Sequence, residues 1–301
     1  MSVAGRPRFQ RGDKSFLQAH KWLLLRRASQ LIILGLFILG PVASVWILKG
    51  NLSASMLLDT VPMNDPYMLL QVILTGHMPE LISLVGAAII LTFYFLVGGR
   101  SYCGWVCPIN IVSDSANWLH YRLNLHTKSM PNRNLRYWLL AVTLLLALLS
   151  GSLLWELVNP VTMIQRGLIY GSSTVWFAIL ALFLFELLVS QRGWCGHLCP
   201  TGAFYSLLSY RAPIRVQADR REQCDDCASC YAVCIEPQII KLPLKGADKG
   251  VGPLIDSAVC SNCGRCVDIC PQDVFHFTNR FHNEKSRDGV TATPKIKETT
   301  P

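Results

Sequence analysis

The chain has 301 residues, of which 51% are hydrophobic and only 16% are charged, and its formal net charge is +9. Such a composition argues against an entirely soluble protein, because one or two soluble domains cannot bury so many apolar side chains. The positive charge does not require a nucleic-acid partner, since anionic membrane lipid is sufficient to explain it.

A basic N-terminal segment, residues 1–28, precedes the first apolar stretch. Arg26-Arg27 faintly resembles a twin-arginine export signal. Pro41 within the stretch and three further apolar stretches favour an uncleaved membrane helix instead. Residues 16–25 are interpreted either as a helix on the cytoplasmic interface or as an inward extension of the first span.

Four apolar stretches predict four transmembrane helices, because each approaches the roughly 20 residues needed to cross a bilayer and has no charge in its central part. They cover about residues 29–48, 81–99, 137–158 and 173–190. A polytopic helical membrane domain is therefore expected over residues 29–215.

The basic residues predict how these helices are oriented. Of 28 Lys and Arg residues, only Lys49 and Arg166 lie in the loops after the first and third stretches. The excess of basic residues on the other side follows the positive-inside rule. Both termini are therefore expected in the cytoplasm, with the protein in the bacterial inner membrane as a multi-pass chain.

A motif is repeated after the second and fourth stretches. Residues 99–108 read GRSYCGWVCP and residues 191–200 read QRGWCGHLCP, which align as R-x-[YW]-C-G-x-x-C-P. The membrane domain therefore looks like two parallel hairpin repeats. The i, i+4 spacing predicts that both sulfurs of a pair lie on one face of a helical turn.

Four thiols would then converge at the cytoplasmic membrane surface: Cys103, Cys107, Cys195 and Cys199. Three interpretations remain open for them: a third metal or iron–sulfur site, a pair of redox-active dithiols, or small buried residues in a helix contact.

The other eight cysteines form two C-x-x-C-x-x-C-x-x-x-C runs near the end of the chain: Cys224, Cys227, Cys230, Cys234, Cys260, Cys263, Cys266 and Cys270. Two such runs in tandem favour two [4Fe–4S] clusters over zinc. In the reducing cytoplasm, cysteines act as ligands or redox groups rather than as structural disulfides. The chain is therefore predicted to transfer electrons.

Residues 216–282 resemble the α+β domain of bacterial two-cluster ferredoxins. That resemblance implies one cluster on Cys224, Cys227, Cys230 and Cys270, and another on Cys234, Cys260, Cys263 and Cys266. Short strands and turns are expected in the insert 235–259, and a strand over residues 274–277. Residues 283–301 are expected to be disordered because they have almost no apolar side chains.

Several side chains are candidate proton acceptors near the membrane: Asp59, Asp65, His77, Glu80, Glu156, Glu186 and His197. Most are expected to be solvated loop residues. His197 lies inside the second motif, where it would bind a metal, titrate with a quinol or face the interface. No catalytic residue can be assigned among them.

Both motifs together resemble, over nearly the whole chain, the membrane subunit of the quinol dehydrogenase that serves periplasmic nitrate reductase. The repeated C-x-x-x-C-P makes the resemblance specific. It implies quinol as substrate, a periplasmic ferredoxin-type subunit as acceptor, and a c-type cytochrome beyond it. The alternatives are an assembly or regulatory membrane polyferredoxin for another respiratory oxidase or reductase, and a passive scaffold.

Overall fold

The computed structural model describes residues 14–125 and 132–281. Within these ranges the fold is mostly helical, with two small antiparallel sheets. The tail 283–301, for which disorder was expected, lies outside the described residues.

The helices are, in chain order, α1 (Phe16–Ala19), α2 (Lys21–Ala43), α3 (Pro66–Leu74), α4 (Leu81–Val97), α5 (Ser101–Trp105), α6 (Ile109–Arg122), α7 (Leu135–Ser150), α8 (Leu154–Val158), α9 (Pro160–Tyr170), α10 (Ser173–Leu188), α11 (Pro200–Leu208), α12 (Ser229–Val233), α13 (Gln238–Lys245) and α14 (Arg265–Ile269). The strands are β1 (Leu48–Gly50), β2 (Ala54–Leu57), β3 (Val61–Asn64), β4 (Ile214–Ala218) and β5 (Phe275–Asn279).

All four apolar stretches form helices, with bounds that differ from those expected. Of the described helices, α2 is long and apolar enough to cross a membrane by length and composition, whereas α4, α7 and α10 are apolar but shorter. Helix α2 begins at Lys21 rather than residue 29 and ends at Ala43 rather than residue 48. The third stretch is not one helix to residue 158, because α7 ends before Gly151, whose φ is +61°.

The loops after the first and third stretches are folded elements rather than simple connections. The sheet β1–β2–β3 fills residues 48–64, and β3 packs along α4. Helices α3 and α9 follow, and each begins at a proline preceded by a side chain that caps it. Asp65 accepts from the Tyr67 N–H, and Asn159 accepts from the Val161 N–H. These caps satisfy backbone donors that would otherwise be unpaired at the buried helix starts.

The two motif-bearing halves of residues 29–215, the expected membrane domain, interlock. Helix α6, which follows the first motif, packs against α10, and α11, which follows the second motif, packs against α7 and α4. Helix α3 packs against α4 and α7, and α9 packs against α10 and α2. The two C-x-x-x-C-P segments are thereby brought to the centre of the domain.

The C-terminal part has the predicted strand and one unpredicted helix. Strand β5 covers the expected position and pairs with β4, with Val216 opposite Phe277. The insert 235–259 forms α13 instead of the expected strands. Ile240 and Leu244 of this helix are both buried in the core of the C-terminal part. They are four residues apart, which is a helical spacing, and this spacing outweighed the β-propensity of the insert.

Candidate functional site

The eight thiols of the ferredoxin-like segment form two groups. Burial raises the pKa of Cys230 to about 12, and the sulfurs of Cys224, Cys270 and Cys227 contribute most of the remaining increase. Burial also raises the pKa of Cys266, and its strongest sulfur neighbours are Cys263, Cys234 and Cys260. Each group therefore offers four thiolates, which is the ligand set of a [4Fe–4S] cluster.

These groups do not have the geometry of a single-ion site. Among the described residues, no three His, Cys, Asp or Glu side chains converge closely enough to hold one metal ion. A tetrahedral zinc site requires that convergence. A cubane cluster instead holds its four thiolates apart, at the corners of a cube.

Asp114 of α6 joins the membrane domain to the second cysteine run. Four arginines surround this carboxylate: Arg26, Arg27, Arg192 and Arg265. The Arg265 guanidinium also donates to Cys263 Sγ at 3.5 Å. Burial would raise the pKa of Cys263, but Arg265 and Arg26 outweigh it and lower that pKa to about 7, which favours the thiolate.

Glu236, two residues after Cys234, is a second carboxylate surrounded by arginines, and it is buried. It pairs with Arg100, Arg136 and Arg133. Arg100 is fully buried, and donates at 2.8 Å to the Cys195 carbonyl and at 3.1 Å to the Val259 carbonyl. Arg100 and Arg192 are the equivalent arginines of the two motifs, and each binds one of the two acids.

Seven arginines thus share two carboxylates, and most of these charges are buried. Burying uncompensated cations costs free energy unless a counter-charge lies nearby. A cluster held by four thiolates carries net negative charge. The surplus of arginine therefore fits anionic iron–sulfur clusters on the neighbouring cysteines.

Each pair of membrane-side cysteines flanks a break between two helices, and the shared helical face expected for each pair stays a prediction. Cys103 lies in α5 and Cys195 in a π-helical turn, Trp194–Leu198. Cys107 and Cys199 follow the breaks, because a residue before proline is disfavoured in the helical region. Cys199 caps α11, and its Sγ accepts from the Gly202 N–H at 3.4 Å.

All four of these thiols lie close enough to interact. Burial raises the pKa of Cys195, and the sulfurs of Cys107, Cys199 and Cys103 raise it further. Burial likewise raises the pKa of Cys199 to about 11, with Cys103 as its strongest sulfur neighbour. All four thiols are half-buried, and both a bound cluster and dithiol exchange would require their thiolate forms.

The first motif touches the second cysteine run directly. A Cβ added at Gly104 would lie 3.1 Å from Cys263 Cβ, so the absence of a side chain at Gly104 permits this close packing. The indole of Trp105 donates to the Asn262 carbonyl at 3.1 Å. The membrane-side thiols and the ferredoxin-like thiols therefore belong to one packed unit.

The candidate proton acceptors separate into exposed and interior groups. Asp59, His77 and Glu80 are exposed. His197 is buried rather than facing the interface, and Glu186 is buried as well. Asp65 accepts a hydrogen bond from Tyr205 Oη at 3.0 Å, which brings the loop after the first stretch into contact with α11.

Sequence reasoning missed Asp114, Glu236 and Tyr205 as parts of this site. No local pattern marks the first two, because their partners lie far along the chain. The Asp65-Pro66 and Asn159-Pro160 pairs did carry a usable signal, since a capping residue before proline is typical of a helix start.

A family model described as a 4Fe-4S binding domain matches residues 80–126 and 172–216, which are the two motif-bearing segments. A second 4Fe-4S binding domain model matches residues 253–276. The chain is 48% identical over 267 residues to the methylamine utilization ferredoxin-type protein MauN of Methylorubrum extorquens, covering 89% of this chain and 92% of that protein.

It is also 45% identical over 278 residues to the ferredoxin-type protein NapH of Escherichia coli, covering 92% of this chain and 96% of NapH. The NapH of Haemophilus influenzae is 45% identical over 263 residues, covering 87% and 91%. No solved structure matches the chain significantly.

Proposed function

The chain belongs to the family of ferredoxin-type iron–sulfur electron-transfer proteins that includes NapH and MauN, and we propose that it is the membrane component of a quinol dehydrogenase. In this proposal it takes electrons from quinol and delivers them to a periplasmic ferredoxin-type subunit. A c-type cytochrome of the periplasmic nitrate reductase pathway receives them next.

The observation that carries this proposal is the direct packing of the first membrane motif against the second cysteine run. Arg100 connects the Cys195 carbonyl to Glu236 and to the Val259 carbonyl, and Gly104 lies against Cys263. A chain that only anchored a partner would not need to place membrane-side and ferredoxin-like thiols in one unit.

Three sets of thiols would hold clusters. The ferredoxin-like sets are Cys224, Cys227, Cys230 and Cys270, and Cys234, Cys260, Cys263 and Cys266. The membrane set is Cys103, Cys107, Cys195 and Cys199, and the 4Fe-4S model over both motifs supports a third cluster there. When bound, such clusters accept and release one electron at a time. Arg265 beside Cys263, and Arg100 beside Cys103 and Cys195, would offset the negative charge of two of these sets.

The membrane arrangement is part of the proposal. Four helices, α2, α4, α7 and α10, would cross the bilayer, with both termini and the ferredoxin-like domain in the cytoplasm. The bilayer core is about 30 Å thick, which is a long way for an electron to reach a periplasmic acceptor. Helices α3 and α9 shorten that path, because they carry outward-side segments into contact with the motif-bearing helices.

The similarity to MauN favours a second candidate, in which the same electron transfer serves methylamine utilization. The two candidates differ in the pathway and not in the chemistry of the chain. Loss of nitrate reduction or of growth on methylamine in a deletion strain distinguishes them.

The test uses protein purified anaerobically in detergent. We expect about twelve irons per chain, four for each cluster. We also expect decylubiquinol or menadiol to reduce the clusters, as monitored by EPR. A Cys103→Ser, Cys199→Ser double variant should lose about four irons and keep the ferredoxin-like signals. Eight irons in the wild type would leave the membrane thiols as dithiols, and clusters that no quinol reduces would contradict quinol dehydrogenation.

A further inference from the structure

A cavity of about 570 Å³ lies between α2 and α4. The sheet β1–β3 closes its outward end, and the α5 segment closes the opposite end. Around this cavity, α2 packs against β1, α5 and α9, and α4 packs against β3, α3 and α11. The α4 residues Ile89 and Phe93 in its wall are 43% and 53% exposed. In a bilayer those side chains face lipid, so the cavity has a lateral entrance for an apolar ligand. Its volume suits a small organic ring.

Three tyrosines form the wall nearest the membrane-side thiols. Tyr102 stacks on Tyr205 with ring centroids 4.8 Å apart, and Tyr94 meets Tyr205 edge-on at 5.1 Å. Cys103 and Cys107 pack against the same three rings. A ligand in the cavity is therefore separated from these thiols by one aromatic layer.

Asp65 is the one carboxylate in the described wall of the cavity. Its Oδ1 accepts two hydrogen bonds, from the Tyr67 N–H at 3.0 Å and from Tyr205 Oη at 3.0 Å. These bonds hold the carboxylate in place at the junction of β3 and α3. An apolar cavity with aromatic walls and one fixed polar group is typical of a small-molecule site.

We propose that this cavity binds the head group of the quinol, and that Asp65 accepts the protons of the quinol as it is oxidised. The inference rests on the proposed function and adds the place and the proton acceptor. Oxidation breaks both O–H bonds of the quinol, forms the quinone, and releases two protons and two electrons. Asp65 takes the protons in succession and passes each to water on the outward side. The electrons leave singly to the iron–sulfur clusters, which are the oxidant.

The surroundings of Asp65 suit a proton acceptor. Burial raises the pKa of Asp65 to about 6, the hydrogen bonds from Tyr67 and Tyr205 lower it, and Glu156 raises it. The other titratable groups facing it are the phenols of Tyr94 and Tyr102. Asp65 is therefore a carboxylate above about pH 6, and quinol oxidation should slow as the pH falls below that value.

The first test replaces the carboxylate. Asp65→Asn keeps a side-chain oxygen for the Tyr67 and Tyr205 bonds but cannot take a proton. We expect reduction of the clusters by decylubiquinol to slow about 100-fold, with the fall below pH 6 abolished, while dithionite reduces the clusters normally. The control is Asp59→Asn in the same loop, which removes an exposed carboxylate. An unchanged rate in Asp65→Asn would overturn the assignment of the proton acceptor.

The second test fills the cavity without changing charge and measures binding directly. Ile33 of α2 lines the cavity, whereas the neighbouring Ile32 is 61% exposed. Ile33→Trp should weaken binding of the fluorescent quinol analogue heptylhydroxyquinoline N-oxide at least tenfold, and Ile32→Trp should not. Equal binding by both variants would mean that the cavity holds no head group. If decylubiquinol fails to reduce the wild-type clusters, the proposed function fails, and this binding comparison still decides the cavity.

Discussion

Asp114 and Glu236 each lie among more arginines than one carboxylate can neutralise. The resulting positive field surrounds the second cysteine run and the first membrane motif. Its effect is visible at Cys263, whose pKa falls to about 7 although burial alone would raise it. Residues that bind no cofactor themselves therefore prepare thiolates for one.

Glu236→Gln should destabilise the protein by about 3–5 kcal/mol, because it leaves Arg100 and Arg136 buried without a counter-charge. Chemical denaturation in detergent measures the free energy of unfolding. Glu222→Gln, which changes an exposed acid of the same domain, is the matched control and should have little effect. Equal stability of the two variants would contradict the role given to Glu236.

The same carboxylate adds a pH dependence. Burial would raise the pKa of Glu236, but Arg100 and Arg136 outweigh it and lower the pKa below its ordinary 4.5. Its contribution to stability is therefore complete above pH 4.5 and is lost as the pH falls through the lower, folded pKa. The Glu236→Gln variant should lack this part of the acid destabilisation.

Short capped helices organise the membrane domain at the scale of elements. Helices α3 and α9 start in the interior, and their first N–H groups are bound by Asp65 and Asn159. Helix α2 is capped differently: the Trp22 and Leu23 N–H groups donate to Asp268 of α14, at 3.1 and 2.8 Å. A carboxylate of the ferredoxin-like domain thereby joins that domain to the first membrane helix.

Asn159→Ala should lower stability by about 1 kcal/mol, because the Val161 N–H loses its acceptor at the start of α9. Asn134→Ala is the comparison, since Asn134 occupies the same position before α7 without a side-chain capping bond. Thermal unfolding of both variants in one detergent measures the difference. A loss in Asn134→Ala as large as that in Asn159→Ala would exclude capping as the cause.

Element prediction succeeded where the pattern was local and long. Each apolar stretch formed a helix, and β5 covers most of the strand expected over residues 274–277. It failed in the insert 235–259, where Ile239, Ile240 and Leu242 favoured strands by propensity. Burial of Ile240 and Leu244 against β4 and the thiol loops decided for a helix instead.

At the scale of the whole molecule, the ferredoxin-like domain docks on the membrane domain through charges, caps and aromatic contacts. Trp22 lies 4.6 Å from the ring of Phe277 and 6.0 Å from that of Trp105. The contact joins three distant parts of the chain. Such docking places the membrane-side and ferredoxin-like thiols in one packed unit, as electron transfer between them requires.

The proposed orientation predicts the behaviour of reporter fusions. Green fluorescent protein fused after residue 281 should fluoresce, because that position would lie in the cytoplasm. Alkaline phosphatase inserted next to Asp59 should be active, because that loop would face the periplasm. Active phosphatase at the C-terminal position would reverse the topology and contradict the positive-inside assignment.

Cysteine spacing and the length of apolar stretches are enough to identify the chemistry of the chain: twelve cysteines lie in two kinds of repeated spacing, and four apolar stretches predict helices. Ligands of one cluster come mostly from a few neighbouring residues, so local spacing is enough to recognise them. Tertiary structure alone decided that Asp65 meets Tyr205, 140 residues away, and that Arg265 meets Asp114, 151 residues away. Burial and hydrogen bonding select such pairs through the packing of the whole chain, and no short pattern encodes them.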